Sequence, residues 1–369
     1  PHTPPARWPV IVFSHGLAGG RNMYSYICGD LASHGCVVVA LDHRDGSSPV
    51  QHVRATDAAA PRTIEPRTIS HDPCAASWHA RDAQLRIRLW EVSVALEALV
   101  QIDTRGDAVP NLDDNVGGRS GERVEVLARF VDRLDVHRPG AVSWAGHSFG
   151  AATMAQLAKT VFYRSDASAV ARPLLRPRHD AAISHQITPA SPLLLLDLWA
   201  FPLQSPDQAW LWRRPLPTYA PSGPHGPNIA AIMSEAFYKW PHNRALHLQL
   251  LAASAKTPSP RPASPSPDSG YVSSASQSPH PAGPAPHIFY IARSQHFSQS
   301  DVAVLFPLLV QRVTTAEEPA LVMELNVRVL LAVLRRAGVR LEGREDAELL
   351  SRRGGTRKLV PVEDAGEGL

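Results

Sequence analysis

Short apolar runs that close on glycine alternate with stretches of helical spacing along most of the chain. PVIVFSHG, residues 9–16, is a β-branched run ending in a glycine turn and predicts a buried strand. Residues 22–35 place Met23, Tyr26, Ile27 and Leu31 at helical intervals and stop at Gly35, which predicts a helix. CVVVALDH, residues 36–43, predicts a second buried strand. Strand, helix, strand in this order implies parallel pairing through right-handed crossovers, and so an α/β architecture with helices on both faces of a mostly parallel sheet. Residues 47–72 are polar and broken by proline, which predicts a loop. Long helical periodicity then runs over 80–102 through Leu85, Ile87, Leu89, Val92, Leu96 and Leu99. A further helix is expected over 117–135, a strand at 141–144 and a helix at 151–163. Strands follow at 192–196 and 288–292, and helices at 298–313 and 320–337.

Two regions depart from this rhythm. Residues 256–286 are dense in Pro, Ser and Ala, cannot bury enough surface to offset chain entropy, and predict a disordered insertion. Residues 343–369 are charged and glycine-containing and predict a flexible tail. The rest, 1–342, reads as a single domain. The whole chain's 44% hydrophobic content is that of an ordinary globular protein, and its formal net charge of +3 offers no concentrated basic face for nucleic acid. Cys28, Cys36 and Cys74 are too few and scattered for a disulfide framework. With no CxxC, no HExxH and dispersed histidines, neither a metal nor another cofactor is expected. No apolar run reaches membrane-spanning length; PLLLLDLWAFPL, residues 192–203, is short and carries Asp197. The chain starts at Pro1, with strand signal from Pro9, and reads as N-terminally incomplete. Cysteine scarcity leans toward a cytoplasmic setting with peripheral membrane contact, and the oligomeric state is not legible.

The chemistry gathers at WAGHSFGAAT, residues 144–153. Gly146-His147-Ser148-Phe149-Gly150 is a G-x-S-x-G element between an expected strand and an expected helix. A turn this tight strains the serine backbone and leaves no room for side chains at Gly146 and Gly150, so Ser148 stands as a candidate nucleophile at the positive end of a helix. A serine hydroxyl needs a base, and the base an orienting acid. On this α/β-hydrolase pattern the acid and then the histidine follow the serine, each after a strand. Asp197 directly follows LLLL and His296 follows IFYIARSQ, the last apolar strand. A helix N-cap is the alternative for Asp197 and a surface histidine for His296; Asp42 and Asp45 are rival acids that precede the serine. Oxyanion donors are expected at the backbone amides of Phe149 and Leu17, the latter in SHGLAGG after the first strand. His15 in that turn reads as structural.

Around these residues the chain resembles the platelet-activating-factor acetylhydrolases of the plasma and intracellular type II kind. The stretches that carry the resemblance are FSHGLAGGRNMYS, ALDHRDGSS, GHSFGAAT, DLWAFPL, SEAFYKW and SQHFSQSDVAVLF, covering residues 9–337 without the low-complexity insertion. The resemblance implies Ser148 as nucleophile, Asp197 as acid, His296 as base, Leu17 and Phe149 as oxyanion donors, and metal-free hydrolysis of phospholipids with a short or oxidised sn-2 acyl chain at a membrane or lipoprotein surface. Departures are Ala151 where a third glycine is common, Arg293 where glycine is common, the insertion, and the absence of the family's first strands, which would expose a sheet edge. A general carboxylesterase on small soluble esters and an inactive ligand-binding relative are the alternative readings. QAWLWRRPLP, residues 208–217, sets Trp210 and Trp212 beside Arg213 and Arg214, a composition suited to an interfacial lipid contact and equally to a loop packed on the surface.

Overall fold

The computed structural model describes residues 7–53, 55, 59–106, 126–166, 172–254, 285–314, 318–343, 350 and 358–362. Its centre is a seven-stranded sheet built from β1 (Val10–Ser14), β2 (Val37–Ala40), β5 (Ser143–His147), β6 (Leu193–Leu196), β7 (Ile229–Ser234), β8 (His287–Ile291) and β9 (Leu359–Pro361). The spatial order is β2-β1-β5-β6-β7-β8-β9, parallel throughout except for β9. Parallel strands need both faces covered, and the strands are apolar on both. Along β1, Val10 and Val12 enter one core and Ile11 and Phe13 the other. Along β6, Leu193 and Leu195 face the first core and Leu194 and Leu196 the second, as a two-residue side-chain period requires.

Helices α2 (Ala75–Arg105) and α3 (Phe149–Phe162) close the first face, and α1 (Ser25–Ser33) and α10 (Pro319–Arg336) the second. Helix α2 buries Leu85, Leu89, Val92, Leu96 and Leu99 at intervals of three and four, and ends where Gly106 turns into the left-handed region at φ 74°. It exceeds the expected 80–102 because nothing interrupts it between Pro73 and Gly106.

The structure corrects the sequence reading in four places. Within the expected loop at 47–72, β3 (Gln51–Val53) and β4 (Arg62–Ile64) pair as an antiparallel ribbon. The expected helix at 298–313 is a 3₁₀ turn, His296–Gln299, followed by α8 (Asp301–Leu305) and α9 (Pro307–Val313). Pro307 separates the last two: it cannot donate to the helix and pushes Phe306 out of the helical region, to ψ 52°. The interior strand β7 was not anticipated. Leu359–Pro361, inside the expected tail, pairs with Phe289–Ile291 of β8 and buries Leu359 completely, because it satisfies an otherwise open sheet edge. Of the expected insertion, only Ala285 and Pro286 fall within the described residues, as does only the end of the helix expected at 117–135. Among the described residues no helix is long and apolar enough to cross a membrane.

Among the described residues four histidines are buried without charge. Burial holds His15 down to about 3 and His247 to about 4, and His43 and His147 well below the usual imidazole value. Above pH ~6.5 these groups are neutral whether the chain is folded or not. As pH falls below that, the unfolded chain takes up protons that the fold refuses, so stability is lost toward pH 4 at about 1.4 kcal/mol per pH unit per histidine. Denaturation midpoints in urea are expected to drop between pH 7.5 and 5. His247, on α7 (Pro241–Leu251), has neither ring nitrogen hydrogen-bonded. His247→Leu is therefore expected to raise the midpoint at pH 5 and flatten the pH slope by one histidine's share; an unchanged slope would contradict this account.

Candidate active site

Ser148 sits between β5 and α3 with φ 56° and ψ −115°, a conformation that L residues rarely adopt. Its neighbours show why the turn tolerates nothing else. A Cβ on Gly150 would lie 1.9 Å from the Ser14 carbonyl oxygen, and one on Gly146 would lie 2.4 Å from the Gly150 backbone. The turn presses the start of α3 against the end of β1. Ala151, the departure from a third glycine, is fully buried there.

The structure brings Ser148, His296 and Asp197 into one hydrogen-bonded row. His296 Nδ1 lies 2.9 Å from Asp197 Oδ2, and Nε2 lies 2.9 Å from Ser148 Oγ. A carboxylate only accepts, so Nδ1 carries the proton and Nε2 is left to accept from the serine hydroxyl. Asp197 is fully buried just past β6, and its second oxygen accepts the Ser234 N–H at 2.5 Å. The imidazole of His296 stacks on Phe237, with centroids 4.2 Å apart and planes 8° from parallel. Arg293, three residues earlier, takes φ 55°, the conformation that makes glycine common at this turn.

His147 is a positioning group that sequence reasoning passed over. The Gly16 N–H donates to Tyr24 Oη, whose own hydroxyl is then free to donate to His147 Nδ1 at 2.9 Å. His147 Nε2 in turn donates to the backbone carbonyl of His296 at 3.1 Å. The relay ties the loop after β1 to the histidine loop. Donor atoms of His147, Asp197 and His296 also lie within 4.8 Å of one another, but a cation there would have to displace a hydrogen bond from His147 and compete with the bonds that hold Asp197 and His296. Among the described residues the Leu17 and Phe149 amides have no hydrogen-bond partner, and Phe149 opens α3, where amides lack intrahelical acceptors. The arrangement can pass the Ser148 proton to His296, hold the resulting imidazolium against Asp197, and offer two N–H groups to an oxyanion.

Residues 1–216 match the family described as platelet-activating factor acetylhydrolase, isoform II. The chain belongs to this family. It is similar to the platelet-activating factor acetylhydrolases of Canis lupus familiaris, 36% identical over 154 residues, and Bos taurus, 36% identical over 154 residues. Each match covers 41% of this chain and 32% of the relative, so the chain spans about a third of the length of these relatives. A ferulic acid esterase from Streptomyces cinnamoneus superposes with a TM-score of 0.51 at 14% identity, over 97% of this chain and 74% of that one, a likeness of fold. The α/β-hydrolase fold expected from the sequence is the fold observed.

Among the remaining candidates, Trp210, Trp212, Arg213 and Arg214 are not gathered into one exposed face. Trp210 is half-buried, Trp212 packs against the core with Lys159 Nζ 5.7 Å from its ring, and Arg214 pairs with Asp166 at 2.5 Å. Of the four, only Arg213 is exposed. Exposed large apolar side chains occur instead at Leu305, Phe306 and Leu308, 68%, 55% and 76% accessible, shortly after His296.

Behind the loop after β1 lies a buried polar cluster. Ser14 Oγ is 2.8 Å from His43 Nε2, and His43 Nδ1 is 2.9 Å from Glu91 Oε2, a second row of serine, histidine and acid. Ser14 and His43 are fully buried, so no substrate reaches them. His15 is structural, as expected: its Nδ1 donates to the Gly16 carbonyl and its Nε2 accepts the His43 N–H. Arg88 of α2 donates to Asp45 at 2.7 Å, to the His15 carbonyl at 2.8 Å and to Ser47 at 2.6 Å, and lies over the Phe149 ring at 4.2 Å. Asp45, a rival acid from the sequence, is committed to this bond and held down to about 2: burial opposes its ionisation, and the Arg88 charge with the hydrogen bonds from Arg88 and Ser47 outweighs that. Arg88→Met strands a buried carboxylate and is expected to cost about 3–5 kcal/mol. Urea denaturation of Arg88→Met and of the Arg88→Met/Asp45→Leu pair checks this: the double variant should recover a large part of the loss.

Proposed function

We propose that this chain is a serine esterase that cleaves the sn-2 ester of glycerophospholipids bearing a short or oxidised acyl chain. The observation that carries the reading is the row Ser148–His296–Asp197 with 2.9 Å at both contacts, beside two amides without partners. Ser148 Oγ attacks the ester carbonyl while His296 Nε2 takes its proton. Asp197 keeps the imidazole in the required tautomer. The Leu17 and Phe149 amides hold the tetrahedral oxyanion. His296 returns the proton to the departing lysophospholipid oxygen, and water, deprotonated by the same imidazole, releases the acyl group. Family membership supports the lipid class. Leu305, Phe306 and Leu308 support approach to a lipid surface better than the Trp210 segment does, because they are the side chains left in water.

Purified protein assayed on phosphatidylcholines with sn-2 acetyl and with a long sn-2 chain, chelator present, tests the proposal. Preference for acetyl is expected, with Ser148→Ala on the order of 10⁴-fold slower. A fluorophosphonate is expected to label Ser148 and nothing else. Wild-type rates surviving in Ser148→Ala, or folded protein that resists labelling, would overturn the assignment. Turnover of small soluble esters alone would leave the serine mechanism standing and remove the lipid.

A further inference from the structure

A cavity of about 210 Å³ opens beside the loop after β1, with Leu17, Ser47, Ser48, Arg67, His71 and Arg81 on its wall. Among the described residues no aspartate or glutamate lines it. Arg81 is 1% exposed, yet among the described residues no carboxylate bonds to it directly. Its Nη1 donates to Gln84 Oε1 at 2.7 Å and its Nη2 to the Ile69 carbonyl at 3.2 Å, both neutral acceptors, and its buried Nε has no partner. The nearby carboxylate, Asp45, is already bonded to Arg88, two turns further along α2. The Arg81 guanidinium lies 5.0 Å from the Trp199 ring centre, and the His71 ring meets the same indole at 4.9 Å. Burial lowers Arg81 to about 10, so it remains cationic at neutral pH.

A buried cation without a counter-charge is costly to the fold, and an aromatic face offsets only part of that cost. Facing an acid-free cavity, with the exposed Arg67 on the same wall, it presents a planar fork suited to carboxylate or phosphate oxygens. Leu17 borders this cavity and carries an unpartnered amide at the ester site, so an anion held here would belong to the molecule being cleaved. We propose that this cavity is the anion subsite of the esterase: Arg81, aided by Arg67, binds a negatively charged oxygen of the substrate while its ester carbonyl rests at Leu17 and Phe149. Resting on the esterase reading, the inference names the substrate feature that site selects. Two sources share the chemistry, the terminal carboxylate of an oxidised acyl chain and the phosphate of the glycerol backbone.

Two measurements test it on the whole chain. Calorimetric titration with glutarate and with glycerol 3-phosphate should show binding of at least one, weakened tenfold or more in Arg81→Gln. Because Arg67 is exposed, Arg67→Gln leaves folding out of question and should weaken the same probe severalfold. Hydrolysis of the 4-nitrophenyl monoester of glutarate against 4-nitrophenyl butyrate identifies the source. A tenfold preference in kcat/KM for the glutarate ester that collapses toward one in Arg81→Gln places the acyl-chain carboxylate in the cavity. No such preference, with glycerol 3-phosphate binding that depends on Arg81, places the backbone phosphate there. Wild-type protein that binds neither probe, or binding that both arginine variants leave unchanged, overturns the subsite. Fluorophosphonate labelling separates the two claims: labelled protein that binds neither anion loses only the subsite, and unlabelled protein that binds one through Arg81 loses only the esterase reading.

Discussion

Everything at the candidate site depends on how closely the backbone of Gly150 approaches the carbonyl of Ser14. No side chain fits between them, and that contact sets β5 and its turn directly against the end of β1. The parallel register then carries the arrangement sideways. Ser14 lies opposite Gly146, and His147 opposite Leu196, so the loops after β1, β5 and β6 leave the sheet at one level. Ser148, the Leu17 amide and Asp197 meet because three adjacent strands end together. Ser234, at the end of β7, supplies the N–H that fixes the Asp197 carboxylate.

Two rows of serine, histidine and acid occur in this molecule, and their difference is one of access. In Ser14–His43–Glu91 the hydroxyl and the imidazole are sealed in, next to the guanidinium of Arg88. In Ser148–His296–Asp197 the acid is fully buried and the serine nearly so, while the imidazole keeps about a third of its surface open. The first arrangement can do no more than hold the loop in shape. The second retains a face toward solvent, from which an ester can arrive. Like geometry can thus be closed off as scaffold or left open to a reactant according to what surrounds it.

Ser148, Asp197 and His296 were legible in the sequence because each marks a sharp local boundary: a glycine-flanked turn, a carboxylate after four leucines, a histidine after the last apolar strand. Their 2.9 Å contacts follow from strand order, which the residues express only through the resemblance. Strand β7, Ile229–Ser234, was not legible, since IAAIMS is short and half alanine-like in bulk; it is a strand because β6 and β8 pair with it from both sides. Strand β9 depends in the same way on the open edge of β8. Pro307 did carry its signal, and the long apolar pattern around it obscured the break. Trp210 and Trp212 invited an interfacial role by composition alone, which cannot say which side of a four-residue helix faces inward. Arg81 and Arg88 were invisible as functional groups, because arginines on a long helix ordinarily belong to its wet side and their neighbours are far off in the chain.

The carboxylate of Asp301, five residues beyond His296, accepts the N–H groups of Ser25 and Tyr26 and so caps α1. Tyr24, immediately before that helix, holds Gly16 and, through His147, the carbonyl of His296. The two sides of the cleft therefore share one anchorage and form a closed mechanical loop. Variation that widens substrate scope cannot shift the histidine side alone without dragging the glycine side with it. Room for such variation lies instead in the segment around Pro66–His71, which borders the cavity and stands outside that loop.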